Sequence, residues 1–574
     1  MHTSIQVAIG VAAGIGTAHR FGSVHWAVWL SLLLMYVLSL HAHTFRAALL
    51  AALLGASLFS LQMRLHSGVI DSHQSVLDDR VEELVTGKIT GLPERMPGRV
   101  RVLLVTSDAR IWLTLFFEGA RAQLHLMPGQ WIRVSARLKS PRGLRGLGTM
   151  NKGEQALAHG ADLLASAPLA SVEVFDESFS GWTLPVVLHD WAAREIASSS
   201  GSADGKHLVA AIAIGERGGM PPTLSNALRS SGIAHLIAVS GMHLAAVAGL
   251  VYFLVLVLWA WLPWRQYLEP ASVAAGAALC AALLFTGVTG ARASTCRALL
   301  VATFMLAGIM LDRRIRMMHA IAWAAFLLLV LNPILLWEPG FQMSFAATGV
   351  LALAFQKTPQ LLPAEPLSRL GKIRGHAVDL FRASFWASLA TAPIALYHFG
   401  QVAPVALLTN LIAVPFATLL LLPLSLVALI VIPLSDSLGQ WLLLQATKCA
   451  DVVVWASRAI DSVLPAVSRP PMNALELLLW LSFVLVLLRG RREGSRGSNS
   501  RTIVLAIALA MLFGVSRAYW GEYQARESES LRVTFVDIGQ GDAAVIELPG
   551  GAVWLVDGGG LPFVAAASSE ERQY

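Results

Sequence analysis

Two histidines lie inside an apolar segment that is long enough to cross a membrane. The segment from 230 to 249 carries His235 and His243 on either side of the pair Ser240 and Gly241. Ionisable side chains at bilayer depth cost about 2.5 to 3.5 kcal/mol each on insertion scales, so they normally face a protein interior or a water-filled path. Irregular backbone at that depth also needs protein or water around it. The segment therefore predicts a discontinuous helix beside a path for something polar, with a structural hydrogen bond as the alternative for each histidine alone.

Other polar side chains interrupt later apolar segments. Arg292 and Arg297 lie at the junction of two such segments. We predict that Arg297, about one helical turn deeper, is a path cation that contacts phosphate, whereas Arg292 either lines the path or marks the membrane interface. Two further polar breaks contain the amides Gln342 and Asn410. The predicted channel-lining set is therefore His235, Ser240, Gly241, His243, Arg292, Arg297, Gln342 and Asn410.

The composition places these residues in a membrane protein. Hydrophobic residues make up 55% of the 574 residues, charged residues only 14%, and the mean hydropathy is +0.62. A soluble domain of this length carries fewer apolar and more charged residues. Since about 17 to 25 apolar residues cross a bilayer as a helix, we predict a polytopic α-helical membrane protein with about thirteen spans. They fall near 5–18, 24–40, 45–61, 232–262, 271–289, 294–311, 317–337, 340–356, 378–400, 404–432, 437–457, 473–488 and 502–516.

The spans and the polar stretches between them divide the chain into five parts. We predict N-terminal transmembrane helices over 1–65, an extracytoplasmic barrel over 66–175, an interfacial amphipathic connector over 176–229, a transmembrane channel core over 230–518 and a C-terminal segment over 531–574. Lys and Arg are more numerous in the loops that a cytoplasmic N-terminus would place inside, which favours that orientation. The barrel and the C-terminal segment are then extracytoplasmic. Prolines within 404–432 would invert the later topology if they split that span into two crossings.

Short strands are predicted between 80 and 140, where apolar and polar residues alternate and Gly, Pro and Asp turns intervene. About five such strands fit a small antiparallel barrel of OB-like fold. Basic residues are concentrated there, and a basic surface attracts phosphate backbones. The predicted phosphate contacts are Arg99, Arg101, Arg133, Arg137 and Lys139, and the candidate stacking faces for bases are Trp112, Phe116, Phe117 and Trp131. The alternative is that the aromatics fill the barrel and the arginines form ordinary solvated strand faces.

Three segments of the channel core occur in a distinctive order. They read AIAIGERGGMPPTLSNALRSSGIAHLIAVSGMHLAAVAG, GFQMSFAATGVLAL and YHFGQVAPVALLTNLIAVPF, and the run FVDIGQGDAAVIELPGGAVWLVDGGG follows near the end. Together with the early helices and their embedded OB-like block, this order resembles the ComEC family of competence proteins over almost the whole chain. The resemblance implies a multi-pass protein of the bacterial inner membrane that passes single-stranded DNA during natural transformation.

The resemblance also implies partners. These are single-stranded DNA, membrane lipids, a periplasmic DNA-receptor protein, and cytoplasmic single-strand-binding or motor proteins, with a homo-oligomer left open. The mechanism would be electrostatic guidance of the strand rather than chemistry. The alternative function is a small-solute or lipid transporter with a regulatory periplasmic domain. A membrane-anchored metallohydrolase, with its catalytic part supplied in trans, is a third.

The end of the chain reads as strands over 531–537, 543–548 and 552–556 with a turn at 549–551, which resembles the opening sheet of a metallo-β-lactamase-like domain. In such domains a His-x-His-x-Asp-His cluster follows and binds two metal ions that activate water. The sequence reaches Tyr574 without this cluster. We therefore expect a truncated metallo-β-lactamase-like segment, with no catalytic residue, metal site or cofactor in this chain and no enzyme activity. Family members with the complete domain are expected to bind divalent metal.

Overall fold

The computed structural model of the chain describes most of the barrel and of the channel core. The described residues are 43–73, 82–96, 98–117, 126–141, 152–176, 183–261, 269–355, 369–403, 405–464, 466–468, 530–535, 543–549 and 552–556, with a few more between 476 and 484. The predicted spans at 5–18, 24–40 and 502–516, and most of 473–488, lie outside these residues.

The first polar part of the chain is a closed barrel. Its strands are β1 Glu82–Met96, β2 Arg99–Val105, β3 Arg110–Phe116, β4 Trp131–Lys139, β5 Leu163–Pro168 and β6 Val172–Asp176. The first strand pairs with β2 on one side and with β4 on the other, which closes the order β1-β2-β3-β5-β4, and β6 adds to β4. The predicted barrel of about five strands is confirmed. One pair, β3 with β5, is parallel rather than antiparallel.

Alternation along the strands decides which side chains fill the barrel. In β3, Ile111, Leu113 and Leu115 are at most 3% exposed, whereas the residues between them point outward. The same period-2 pattern in β2 and β4 places the polar and charged side chains on the outer surface, because successive strand residues point to opposite faces. All five basic residues predicted to contact phosphate lie at outward positions: Arg99, Arg101, Arg133, Arg137 and Lys139.

Helices form most of the rest of the described chain. They are α1 His43–Ser72, α2 Lys152–Ala158, α3 Thr183–Ser198, α4 Ala203–Ala213, α5 Pro222–Ser230, α6 Ala234–Ile237, α7 Gly241–Trp259, α8 Pro270–Val288, α9 Ala293–Met310, α10 Met317–Leu331, α11 Pro339–Ala354, α12 Arg369–Phe399, α13 Ala406–Pro415, α14 Leu422–Val431 and α15 Asp436–Val463. Of these, α8 packs between α7 and α9. Its residues Ala274, Ala278 and Ala282 are fully buried, and small residues four apart let helices approach closely in a membrane.

Four helical segments in the described ranges are long and apolar enough to cross a membrane. They are Gly241–Trp259, Pro270–Val288, Ala293–Met310 and Ala406–Val431. The last is one continuous run in which a π-helical turn, Phe416–Leu421, joins α13 to α14, so its prolines do not split it into two crossings. The chain is therefore a helical membrane protein with an inserted barrel, and the count of about thirteen spans stays a prediction.

Contacts between helix ends place the starts of α7, α9, α11 and α13 at one end of the bundle, together with the ends of α8, α10 and α12. The barrel touches this end, because a Cβ atom added to Gly290, between α8 and α9, would lie 3.1 Å from Cδ1 of Leu92 in β1. We call it the barrel-side end. Two short strands, β7 Gln401–Val402 and β8 Val467–Ser468, pair there.

The last described residues form a small separate sheet. Strands β9 Arg532–Phe535, β10 Ala544–Glu547 and β11 Val553–Val556 pair antiparallel in the order β11-β10-β9. They lie within the three segments that the sequence predicts as strands. Whether the sheet opens a metallo-β-lactamase-like domain stays a prediction, since the residues after 556 are outside the described ranges.

Candidate functional site

The predicted helix break lies between α6, a single turn, and α7. Ser240, the residue before α7, has an extended backbone with φ −105° and ψ 169°. Its backbone N–H donates to Nδ1 of His243 at 3.2 Å, and the His243 side chain is fully buried. Because Nδ1 accepts this bond, the proton of the neutral imidazole is on Nε2. His243 therefore caps the first turn of α7 and keeps one N–H donor in the interior.

Contacts with α9 and α13 hold the break in place. Gly232 has φ +78°, a conformation that side chains rarely adopt, and a Cβ atom there would lie 2.3 Å from Cβ of Ala406 in α13. On the other side, Oγ of Ser294 in the first turn of α9 donates to the carbonyl oxygen of Val239 at 2.9 Å. Gly241 also packs closely against α9, since a Cβ atom added to it would contact that helix. The break is thus wedged between two helices at the barrel-side end.

His235, in α6, has an accessible side chain although protein surrounds it on most sides. Its ring is close enough to His243 for the two to interact electrostatically. Of the two predicted histidines, His235 faces the accessible space and His243 lies behind it.

The second predicted cluster contains an ion pair that joins two helices. Arg297 in α9 is only 4% exposed, and its Nη1 donates to Oε2 of Glu338 at 3.2 Å. Glu338 immediately precedes α11, and the guanidinium carbon also lies 6.0 Å from the ring centroid of Phe341. The Nη1 donor of Arg297 can therefore bind a phosphate only after the Glu338 carboxylate has left it. Arg292, the N-cap residue of α9, is half-buried.

Four of the predicted path residues hold a buried polar atom that has no hydrogen-bond partner among the described residues. The atoms are Oγ of Ser240, Nε2 of His243, Nε of Arg297 and Oδ1 of Asn410. Buried polar atoms almost always have a partner, and each exception calls for an explanation such as water or a bound ion. Leaving one unsatisfied costs about 1 to 3 kcal/mol. Their grouping at the barrel-side end is what a wall beside a polar path requires.

Gln342 differs from the other predicted path residues because both ends of its amide are bonded within the protein. Its Nε2 donates to the carbonyl oxygen of Leu336 at 2.9 Å, and its Oε1 accepts from Nε2 of His398 at 2.8 Å. The amide thus links α11 to the end of α12. His398 and Glu338 are the two residues of this site that sequence reasoning missed. Each stands in a polar break already noted, and a lone ionisable residue beside an apolar run is the signal that finds them.

The outer face of the barrel aligns its basic residues across four strands. The strand registers place Arg101 of β2 opposite Thr114 of β3, Thr114 opposite Ser166 of β5, and Ser166 opposite Arg137 of β4. Lys139 lies one outward position further along β4. Two arginines therefore border a strip of hydroxyl groups at one level of the barrel. Guanidinium groups and hydroxyls are common partners of phosphate oxygens.

Aromatic rings on this outer face differ in how accessible they are for stacking with a base. The ring of Trp112 has the Arg101 guanidinium 4.4 Å from its centroid and the His159 ring at 4.6 Å, nearly parallel. Phe116, at the end of the same strand, is 42% exposed. Of the predicted stacking faces on β3, Phe116 is therefore the accessible one and Trp112 is occupied.

Arg133 lies toward β6 and away from the hydroxyl strip. Its guanidinium sits 5.4 Å from the ring centroid of Phe175, and its register partner in β6 is Glu173. Arg99 lies at the opposite edge of the face, at the start of β2, opposite Phe116 of β3. The five predicted contacts therefore do not form one compact patch: three of them, Arg101, Arg137 and Lys139, border the same strip.

The barrel docks on the bundle through the end of β1. Gly218, beyond the end of α4, lies so close to β1 that a Cβ atom there would fall 1.2 Å from the carbonyl oxygen of Arg95. Nη2 of Arg95 also donates to Oδ1 of the buried Asp190 in α3 at 3.4 Å. We call this contact the seam. It consists of Leu92 to Arg95 on the barrel and Glu216 to Gly218 on the bundle.

A carboxylate organises the bundle side of the seam. Oε1 of Glu216 accepts from the Gly218 N–H at 3.0 Å, and Oε2 accepts from Nε2 of His189 at 3.4 Å. Nδ1 of His189 donates to the carbonyl oxygen of Val288 at 2.7 Å, so this ring links Glu216 to the end of α8. Burial would raise the pKa of the Glu216 carboxyl, but the hydrogen bonds and the charges of His189 and Arg95 hold it below its usual value.

Among the described residues, no three or more His, Cys, Asp or Glu side chains group as they would around a metal ion. The expectation that this chain binds no metal stays a prediction.

Comparison with known proteins covers the channel core. The family described as "Competence protein" matches residues 212–492, which include the seam loop, the helix break and both arginines of α9. The sequence is also 28% identical over 377 residues to ComE operon protein 3 of Bacillus subtilis, covering 65% of this chain and 44% of that protein. Residues 212–492 of this chain are thus similar to competence proteins.

Other relatives of this chain show similar identity. Competence protein ComA of Neisseria gonorrhoeae is 26% identical over 418 residues, which are 71% of this chain and 56% of that protein. A protein of Escherichia coli K12 named "Uncharacterized protein YcaI" is 26% identical over 355 residues, 60% of this chain and 43% of that protein. The chain thus spans about half the length of these relatives. No solved structure matches it.

Proposed function

We propose that this chain is an inner-membrane channel protein for uptake of single-stranded DNA during natural transformation. The observation that carries the proposal is the grouping of unpaired buried polar atoms of His243, Arg297 and Asn410 at the end of the bundle on which a basic barrel docks. A membrane protein keeps such costly groups inside when something polar passes between the helices. The family match and the printed names of the competence relatives support the same function.

The proposal extends to architecture and location. The closed strand order with β3 parallel to β5 supports an OB-like fold, and in OB-folds the face of strands 2 and 3 binds oligonucleotides. We place the barrel in the periplasm and the helices, about thirteen in all, in the bacterial inner membrane as a multi-pass protein. The contact of the barrel with Gly290 supports placing it and the connection between α8 and α9 on one side of the membrane.

The mechanism is electrostatic guidance. Phosphates of the strand first meet Arg101, Arg137 and Lys139, whose fixed positions on strands preorganise the charge. At the bundle, a phosphate displaces the Glu338 carboxylate from Arg297, while Nε2 of His243 donates a hydrogen bond to the passing strand. No covalent step is assigned to this chain, and its catalytic and metal sites are proposed to be none. The partners we propose are single-stranded DNA, membrane lipids, a periplasmic receptor and cytoplasmic single-strand-binding or motor proteins.

The outer face of the barrel is tested by the salt dependence of DNA binding. For single strands the slope of log K against log salt is about 0.7 per phosphate contact. We expect Arg137→Gln in the full chain to reduce the magnitude of the slope by about that amount and to weaken binding of a dT oligonucleotide. Arg313→Gln, an exposed arginine between α9 and α10 at the other end of the bundle, is the matched control and leaves the slope unchanged. Equal slopes for both variants and the parent would remove the barrel from the DNA route.

The path is tested with His243→Asn. The asparagine Oδ1 replaces Nδ1 as acceptor for the Ser240 N–H, so α7 keeps its cap, while the Nε2 donor is lost. We expect near-parental thermal stability but at least about tenfold slower import, the effect of about 1.4 kcal/mol on a barrier. Import is measured as nuclease-resistant labelled DNA in a competent bacterium that lacks its own family member and carries this chain.

Two outcomes would count against the path. Import at the parental rate by the His243→Asn variant would give this histidine a capping role alone. Unchanged DNA import when the whole chain is absent, together with lost uptake of a small solute or lipid, would favour a transporter instead.

A further inference from the structure

Two arginines at the seam have no ion pair with a carboxylate among the described residues. Arg217 lies between Glu216 and Gly218 in the loop after α4, and Arg292 is the N-cap residue of α9. In the part of the chain that the structure describes, neither has a carboxylate oxygen within 4.0 Å of its guanidinium. Nε of Arg217 is buried and has no described hydrogen-bond partner. The seam therefore presents one buried donor, Nε of Arg217, that the described residues do not satisfy.

The loop that carries Arg217 packs against the turn that precedes Arg292, because a Cβ atom added to Gly215 would lie 3.2 Å from the carbonyl oxygen of Thr289. Burial and then the charge of Arg292 lower the pKa of Arg217 to about 10, and only Glu94 opposes this. Like charges in a partly desolvated place destabilise a fold unless an anion compensates them. The fold nevertheless fixes the Arg217 loop from both sides, because Gly218 abuts the Arg95 backbone and Glu216 is held by His189. A rigid, uncompensated pair of donors is what an anion site requires.

The position of the pair connects the two parts of the DNA route. Glu94 in β1 lies 3.6 Å from Nη1 of Arg101 and also attracts Arg217, so the pair continues the basic outer face of the barrel. On the bundle side, Arg297 follows Arg292 in the first turns of α9. Arg217, Arg292 and Arg297 therefore all lie at the barrel-side end of the bundle.

We propose that Arg217 and Arg292 together bind a single phosphate group of the strand at the seam. The proposal rests on the proposed function, since it names the place where the strand leaves the barrel for the helices. Guanidinium groups suit this role because their forked N–H donors match phosphate oxygens in pairs and stay charged. One phosphodiester carries one negative charge, which relieves the repulsion between the two cations.

The test is the salt dependence of dT oligonucleotide binding to the full chain in a maltoside detergent, which contains no phosphate. Because both arginines share one phosphate, Arg217→Gln, Arg292→Gln and the double variant should each reduce the magnitude of the slope by about 0.7. Arg217→Lys, which keeps the charge, should retain the parental slope, and Arg313→Gln is again the matched control. A parental melting temperature in every variant shows that the seam is still formed.

The outcomes separate this site from the function it serves. Slopes equal to the parental one in the Arg217 and Arg292 variants, with a reduced slope in Arg137→Gln, would overturn the seam site while leaving DNA binding by the barrel intact. A loss in the double variant of about 1.4, the sum for two separate contacts, would overturn the shared phosphate. Adding phosphatidylglycerol distinguishes the other source of phosphate: if it abolishes the effect of the Arg217 substitution, a lipid headgroup holds the site.

Discussion

Glu338→Gln is expected to lower the free energy of unfolding by about 3 kcal/mol and to abolish most DNA import. Arg297 is 4% exposed and donates to this carboxylate at 3.2 Å. Removing one member of a buried pair leaves the other charge uncompensated and costs about 3 to 5 kcal/mol. Because the Glu338 side chain is 27% exposed, the lower end of that range applies. Thermal unfolding of the purified chain and the import assay measure the two effects separately.

A double substitution separates the two roles of the pair. Replacing a buried ion pair with apolar side chains of similar volume is often neutral for stability, so Arg297→Met with Glu338→Met should regain most of the lost free energy of unfolding. Import should stay lost, because the cation that exchanges carboxylate for phosphate is gone. Import restored along with stability would make the pair a structural link only. The control is Asp379→Asn in α12, which breaks an exposed pair with Arg382 and costs at most about 1 kcal/mol.

Gly218→Ala is expected to undock the barrel from the bundle. A Cβ atom at 218 would lie 1.2 Å from the Arg95 carbonyl oxygen, and backbone atoms on both sides leave no flexible side chain to yield. We expect the seam to open at a cost of about 3 kcal/mol, the upper end of typical overpacking penalties, and DNA import to fail. Hydrogen exchange measures the change, with faster exchange expected at the end of β1 and in the loop after α4 and unchanged exchange in β3.

The neighbouring glycine provides the control for this substitution. A Cβ atom at Gly219 would meet the ring of His207 at 2.8 Å, a side chain that can turn away, so Gly219→Ala should leave the seam protected. Parental exchange and import in Gly218→Ala would show that the barrel and the bundle work without a fixed contact.

Residue type and spacing were enough to predict the helix break and the barrel. The two histidines around Ser240 and Gly241 marked the discontinuity, because ionisable groups and helix-weakening residues are costly in an apolar span unless the helix ends there. Alternation likewise identified which strand residues point outward, since it depends only on the period of the strand.

Pairings between distant positions could not be predicted in this way. Glu338 lies 41 positions from Arg297, and nothing local to either shows that they meet. The same holds for Arg101 and Arg137, which share a level of the barrel only because β3 and β5 run parallel. Arg217 lies in the first of the three ordered segments of the channel core. Its significance depends on Arg292, which a different loop brings close to it. The sequence likewise did not reveal that Arg101 and His159 cover the ring of Trp112, which was predicted to be a stacking face for bases.

The continuous segment Ala406–Val431 makes the thickness of the lipid layer matter to this protein. Its 26 residues are about 39 Å long, roughly 9 Å more than the hydrocarbon core of a typical membrane. An apolar rod of that length leans or locally thickens the lipid around it. Asn410, with its unpaired Oδ1, sits near the barrel-side end of this rod, where a change of tilt produces a large sideways displacement. We therefore expect lipid composition to influence the position of Asn410 beside the proposed DNA path.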